Sequence, residues 1–162
     1  MAKTLHELIS KARSLATNKN ESEAFDLANR IVEKYPHEPE SWMLRGYLND
    51  LTGNLEGAIN DVERAMTLGS AGPREFYTRG KYQFQLGRDT AAIEDFTAAI
   101  SLCDCLKDDY FRNALHFDRA EAYLRQGKKA EALADANLVP DDMRWWTFEL
   151  RSKEDLIRDC MK

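Results

Sequence analysis

The side chains whose types and spacing could carry chemistry are the recurring arginines and aspartates. Arg45, Arg79 and Arg119 recur at intervals of 34 and 40 residues, and Asp61, Asp95 and Asp135 follow each of them at a constant offset of 16. Two chemistries are open to such a set. Unpaired and exposed, the arginines would form an anion-binding strip. Paired across two packed helices, each guanidinium meets a carboxylate in two parallel hydrogen bonds and the series fixes register. We read them as pairs. Other reactive residue types are sparse. Cys103 and Cys105 offer two thiolates, but no Cys or His pair stands nearby to complete a tetrahedral zinc site, so they read as structural thiols. With Cys160 they make an odd number, which fits a reducing compartment rather than a disulfide framework. His6 and His37 fall at helix edges and read as solvated, while His116 takes a core position and reads as packed or hydrogen-bonded. A Gly-rich phosphate loop, His-Glu-x-x-His and Gly-x-Ser-x-Gly are all missing from the sequence. The chain therefore reads as a non-enzyme with no cofactor and no metal.

What positions these residues is a repeat. A step of 34 aligns Leu8 with Trp42 and Phe76, Ala12 with Gly46 and Gly80, Ala24 with Ala58 and Ala92, and Ile31 with Ala65 and Ala99. A further copy follows after a step of 40, with Arg119-Ala120, Gly127, Ala132-Leu133, Asp135 and Val139 in the corresponding places. Six extra residues thus fall near Cys103 to Asp109. Each copy reads as helix, tight turn, helix. Gly53, Gly87 and Gly127 stand where a first helix should end, since glycine takes the left-handed conformation without a Cβ clash. Gly46 and Gly80, facing Ala58 and Ala92, let two helices approach closely while Trp42, Phe76, Val62 and Phe96 fill the remaining space.

This pattern resembles the tetratricopeptide repeat family, whose signature is a large residue, a Gly or Ala four positions on, a later Ala, an aromatic four after that, and often a closing proline. Trp42, Gly46, Ala58 and Val62 match it, Phe76, Gly80, Ala92 and Phe96 match it better, and Pro36 closes the first copy. The resemblance covers roughly residues 5 to 140. This sequence departs from the pattern in two ways: the first-helix tyrosine survives only as Tyr123, and Lys19 replaces the turn glycine of the first copy. The implied architecture is an all-α solenoid of four repeats, about 5–38, 39–72, 73–106 and 113–140, in one domain spanning 1–162. A capping helix over about 141–160 should carry Met143, Trp146, Leu150 and Ile157 on its buried stripe. Trp145 and Phe148 lie off that stripe, either as further lid contacts or as an exposed aromatic patch.

The sequence holds 28 acidic against 23 basic residues, a net charge of −5, which disfavours nucleic acid and anionic membrane and mildly favours a basic protein. No apolar run approaches the length of a membrane span, and the N-terminus lacks a secretion signal, so a cytosolic protein is expected. The resemblance implies a protein or peptide partner held in a concave groove lined by first helices. Carried onto this sequence, its groove positions are Ile9 and Arg13; Met43, Leu44 and Tyr47; Arg74, Tyr77, Lys81 and Phe84; and Phe117, Asp118 and Glu121. The family's carboxylate clamp for acidic chaperone tails is not made by these residues. The expected ligand is an apolar or aromatic segment of mixed charge, with Tyr47, Tyr77 and Phe84 as anchors and Lys81 and Arg74 setting its orientation. Two alternatives stay open: a cytosolic secretion chaperone, or an immunity protein neutralising a basic toxin domain through Asp104, Asp108, Asp109, Asp118 and Glu121. The chain is expected as a monomer or a weak homo-oligomer, the latter through Leu5 and Leu8 if the first helix lacks a cap.

Overall fold

Apolar residues spaced three and four apart build the helices, and turn residues set where each one stops. The computed structural model describes residues 4–106, 109–146 and 150–162. The chain divides into two compact units, Met1–Ala71 and Gly72–Lys162.

The first unit holds α1 (Leu5–Thr17), α2 (Glu21–Lys34), α3 (Pro39–Leu51) and α4 (Leu55–Thr67). Thr4 caps α1 in a reciprocal box, its hydroxyl accepting from the Glu7 amide while its own amide donates to the Glu7 carboxylate. Leu5 and Leu8 then pack against a core of Ala12, Ala24, Ala28, Ile31, Leu44 and Leu48. The cap that the stacking idea needed to be missing is therefore present. The second unit holds α5 (Pro73–Gln85), α6 (Asp89–Leu106), α7 (Asp109–Arg125), α8 (Lys129–Ala136), a two-stranded hairpin of β1 (Arg144–Trp146) and β2 (Leu150–Ser152), and α9 (Lys153–Met161). Phe84, Phe96 and Leu115 centre one of its cores, and Phe117, Val139 and Leu156 centre another.

Helices pair in sequence order, α1 with α2, α3 with α4, α5 with α6 and α7 with α8. The turns follow the sequence signal: Gly53, Gly87 and Gly127 have φ of +77°, +75° and +72°. At the equivalent place in the first copy Lys19 adopts φ +63°, the one non-glycine residue with positive φ among those described. The repeat geometry outranks the side chain there, and Lys19 carries the strain. Between the paired helices the approach is tighter at Gly80, where an added Cβ would lie 2.8 Å from Cε1 of Phe96, than at Gly46, where it would meet Ala58 O and Asp61 Cβ at 3.3 Å.

The extra residues between the third and fourth copies lengthen helices rather than form a loop. Helix α6 runs 18 residues against 13 for α4, and α7 begins four residues earlier than the repeat requires. The side chains of Asp104, Cys105 and Asp109, and residues 107–108, lie outside those described.

The C-terminal segment differs from the expected 141–160 helix. A final helix is present, but it starts at Lys153, and Arg144, Trp145 and Trp146 pair antiparallel with Ser152, Arg151 and Leu150. The run of aromatic residues prefers a pleated strand to a helix, and Ser152 opens α9 with its own capping box to Asp155. Hydrogen bonds from the Ser152 backbone and side chain, with Arg158 beside it, hold the Asp155 carboxyl down to about 2. Leu150, expected on a buried stripe, is instead exposed on β2. Phe148 lies outside the described residues.

Two substitutions test these backbone arguments. Gly80→Ala should lower stability by about 1–3 kcal/mol in chemical denaturation, because overpacking against Phe96 outweighs the better helix propensity of alanine. Lys19→Gly should raise it by about 1 kcal/mol by relieving the left-handed residue; an unchanged or lower midpoint would show that the turn is not strained.

Candidate functional site

The arginine–aspartate series is structural. Arg45 Nε and Nη2 donate to Asp61 Oδ2 and Oδ1 at 2.9 and 2.6 Å, Arg79 to Asp95 at 2.9 and 2.7 Å, and Arg119 to Asp135 at 2.7 and 2.8 Å. Each joins the two helices of one repeat, and all three aspartates are buried. Aromatic faces support the guanidinium groups, Trp42 at 4.9 Å from Arg45 and Phe76 at 5.7 Å from Arg79. In the fourth copy His116, buried, places Nδ1 2.8 Å from Asp135 Oδ1. Burial would raise the Asp135 carboxyl, but Arg119 and His116 outweigh it and hold the group below the usual carboxylate range. No anion strip exists at these arginines.

The first helices present the remaining positions. On α3, Met43 is half-buried and Tyr47 is 39% exposed, with Arg13 exposed on the neighbouring α1. An open cleft in the same unit is lined by Leu5, His6, Ile9, Glu38 and Glu40. On α5, Arg74 is exposed and pairs at 3.3 Å with Glu75, while Tyr77 packs edge-on to Phe111 of α7 at 5.1 Å between centroids.

On α7 the expected groove residues are covered. Phe117 and Asp118 have no exposed surface and Glu121 is 7% exposed. The cover is the C-terminal segment: Trp145 Nε1 donates to Asp118 Oδ1 at 3.1 Å, and Arg151 Nη1 lies 3.0 and 3.1 Å from the two Glu121 oxygens. From α5, Lys81 Nζ faces Asp118 Oδ2 across 3.8 Å and stands over the Tyr77 ring. Burial drives the Asp118 carboxyl above its ordinary range, opposed by Lys81, Tyr77 and Trp145.

The tetratricopeptide repeat (TPR) family model matches residues 9–73 and 77–142, most of the chain. The chain belongs to the tetratricopeptide repeat family. The solved TPR structures it is similar to include YrrB, described as a TPR protein with an unusual peptide-binding site, at TM-score 0.67 and 18% identity, covering 81% of this chain and 64% of that one. MamA matches at TM-score 0.72 and 17% identity over 85% of this chain and 72% of its own. PilW, a type IV pilus biogenesis factor, matches at 0.69 and 13% over 85% and 61%. This chain thus spans less than two thirds of YrrB and of PilW. No curated protein sequence matches it. At these identities the likeness to solved structures carries the all-α helical-repeat fold alone; membership of the family makes the chain a scaffold suited to protein–protein contact, in a family that is generally non-catalytic. Among the described residues no helix is long and apolar enough to cross a membrane, and no group of three metal-ligating side chains comes together.

Several expected TPR groove residues need correction. Phe84, proposed as an anchor, is 3% exposed and packs with Phe96 and Leu115, its ring stacked by Arg125 at 4.0 Å. Phe117 centres the last core with Val139 and Leu156. Leu44 is fully buried. Asp118 and Glu121 are engaged within the chain rather than presented to a toxin domain. Arg13, Met43, Tyr47 and Arg74 retain exposure, and Tyr77 and Lys81 sit between α5 and α7 with part of their surface open. Reading the sequence missed Arg151, whose partner on α7 lies 30 residues away and leaves no periodic trace.

The Asp135 pair has a pH signature. Because its folded carboxyl is depressed, it contributes stability above the unfolded value of about 3.9, and that contribution is lost as pH falls through the folded value. Denaturant midpoints should therefore drop on acidification below about pH 4. Asp135→Asn should lower stability at pH 7 and flatten this acid slope; a slope equal to wild type would place its origin elsewhere.

Proposed function

We propose that this protein is a non-catalytic interaction module that holds a segment of a partner protein against the first-helix face of its N-terminal unit. The observation that carries this reading is the fate of one repeat position. Tyr47, Lys81 and Glu121 are equivalent in the three aligned copies. Tyr47 is open to solvent, the Lys81 side chain retains 21% exposure, and Glu121 is covered. Half-buried Met43 and exposed Tyr47 on α3, with the cleft between Leu5 and Ile9, offer apolar and aromatic contact. Glu38 and Glu40 at the rim of that cleft favour a segment with basic residues flanking its apolar anchor. Aromatic side chains of this kind are the usual energetic centres of such contacts.

The acidic α7 residues assigned to a toxin-binding role are taken up internally, which favours an extended segment over a folded basic domain. YrrB, similar in fold, is described as having a peptide-binding site. Affinity capture from native lysate with wild type and with Met43→Ala/Tyr47→Ala tests the reading. The expected result is a specific protein retained by wild type and reduced at least tenfold by the variant, whose helical signal and melting temperature stay unchanged, since losing an aromatic hot spot costs about 2 kcal/mol or more. Equal retention by both would overturn it.

A further inference from the structure

The hairpin does more than end the chain. Trp145 and Arg151 are cross-strand partners in the β1–β2 register, so their side chains leave the same face of the ribbon. That face meets α7. The indole N–H reaches Asp118 Oδ1 at 3.1 Å, and the guanidinium reaches both oxygens of Glu121 while a second nitrogen binds Asp159 of α9. Asp118 and Glu121 stand three residues apart on one helix face, which matches a Trp–Arg pair presented side by side.

The socket is built, not incidental. Asp118 is fully buried, with Trp145 Nε1 on its Oδ1, Lys81 Nζ 3.8 Å from its Oδ2 and Tyr77 beside it. A buried carboxylate needs its donors, so a segment that replaces the hairpin must supply an N–H to Asp118 and a cation to Glu121 in its place. Of the two positions concerned, Glu121 is the counterpart of exposed Tyr47, while Asp118 is the counterpart of buried Leu44 and is a buried charge where the second repeat has an apolar side chain. At Glu121 a peptide-like ribbon thus covers a position that the second repeat leaves open.

We propose that the Asp118–Glu121 face of α7 is a recognition site for a partner segment presenting a tryptophan beside an arginine, and that the chain's own hairpin holds this site in cis until such a segment replaces it. This rests on the interaction-module reading and adds a second site with its own ligand chemistry. A tethered ligand acts at a high effective concentration, so a competing segment succeeds only by making better contacts or by arriving as part of a larger interface.

The test uses the full chain carrying Trp145→Ala/Arg151→Ala, which empties the socket, and a fluorescent peptide of residues 142–153 as probe. Anisotropy titrations to about millimolar peptide should show the emptied chain binding at least tenfold tighter than wild type, in line with the effective concentration of a short tether. Adding Glu121→Gln to the emptied chain should weaken binding about tenfold, the worth of a hydrogen bond to a charged group. Equal binding to wild type and emptied chain, or no binding by an emptied chain of wild-type helicity, would overturn the proposal. If the double variant does not fold, hydrogen exchange on wild type decides: hairpin amides opening well before the α7 amides of Leu115 and Phe117 support a replaceable ligand, and exchange only on global unfolding overturns it. The Met43/Tyr47 capture involves none of these residues, so either proposal can fail alone.

Discussion

The second, third and fourth repeats are each organised around one bidentate ion pair, a pair the first repeat lacks because Lys11 and Leu27 stand at the equivalent positions. The arginine of the first helix and the aspartate of the second meet in two hydrogen bonds at a point where the helix axes are drawn together by a glycine or alanine. The dependence runs both ways. A guanidinium fork reaches a carboxylate in parallel only if the helices are close and correctly phased, and the small residue beside each arginine makes that closeness sterically allowed. Conversely, a buried aspartate left without its arginine would be a desolvated charge, so the pair penalises any slip of one helix along the other. The aromatic faces over Arg45 and Arg79 lock the guanidinium planes, and in the second repeat Asn49 adds a third donor to Asp61. Specificity of register, rather than net stabilisation, is what such a pair supplies best.

With register fixed internally, the outward positions of the first helices are free to differ. Met43, Tyr77 and Phe117 occupy one equivalent position, and they are respectively half-exposed, wedged edge-on between helices, and fully buried. The scaffold therefore assigns a coordinate, and neighbouring elements decide what that coordinate does. In the C-terminal unit the deciding elements are the hairpin and α9, which bury first-helix positions that the second repeat leaves partly open.

The sequence made the repeats legible because helix packing leaves a periodic imprint. The turn glycines, the small residues and the ion pairs all recur at fixed offsets, and each was found where its spacing put it. Lys19 shows the limit of residue type as a guide: the turn kept its left-handed geometry although the favoured residue was missing. The site was less legible. Phe84 and Phe117 look like groove anchors by position, yet whether a first-helix aromatic faces solvent depends on contacts from α9 and from neighbouring helices that no period encodes. The hairpin itself was obscured by an apolar pattern compatible with a helix. The capping serine at Ser152, and the bulky aromatic run before it, were the local signals that a strand and a new helix start were there.

The separations of these contacts along the chain also order the assembly of the C-terminal unit. The Arg–Asp pairs close loops of 16 residues within a single helical hairpin, whereas Trp145 to Asp118 and Arg151 to Glu121 span 27 and 30. The difference in loop-closure entropy is small, about 0.6 kcal/mol for a doubling of length. The difference in prerequisites is larger, because the hairpin needs Asp118 and Glu121 already set on one face of α7 and Asp159 of α9 in reach of Arg151. Folding of this unit should run from helical hairpins to the ribbon, and unfolding should begin by reversing that last step. A nascent or partly opened chain would therefore display Asp118 and Glu121 to its surroundings while its repeats are already in register.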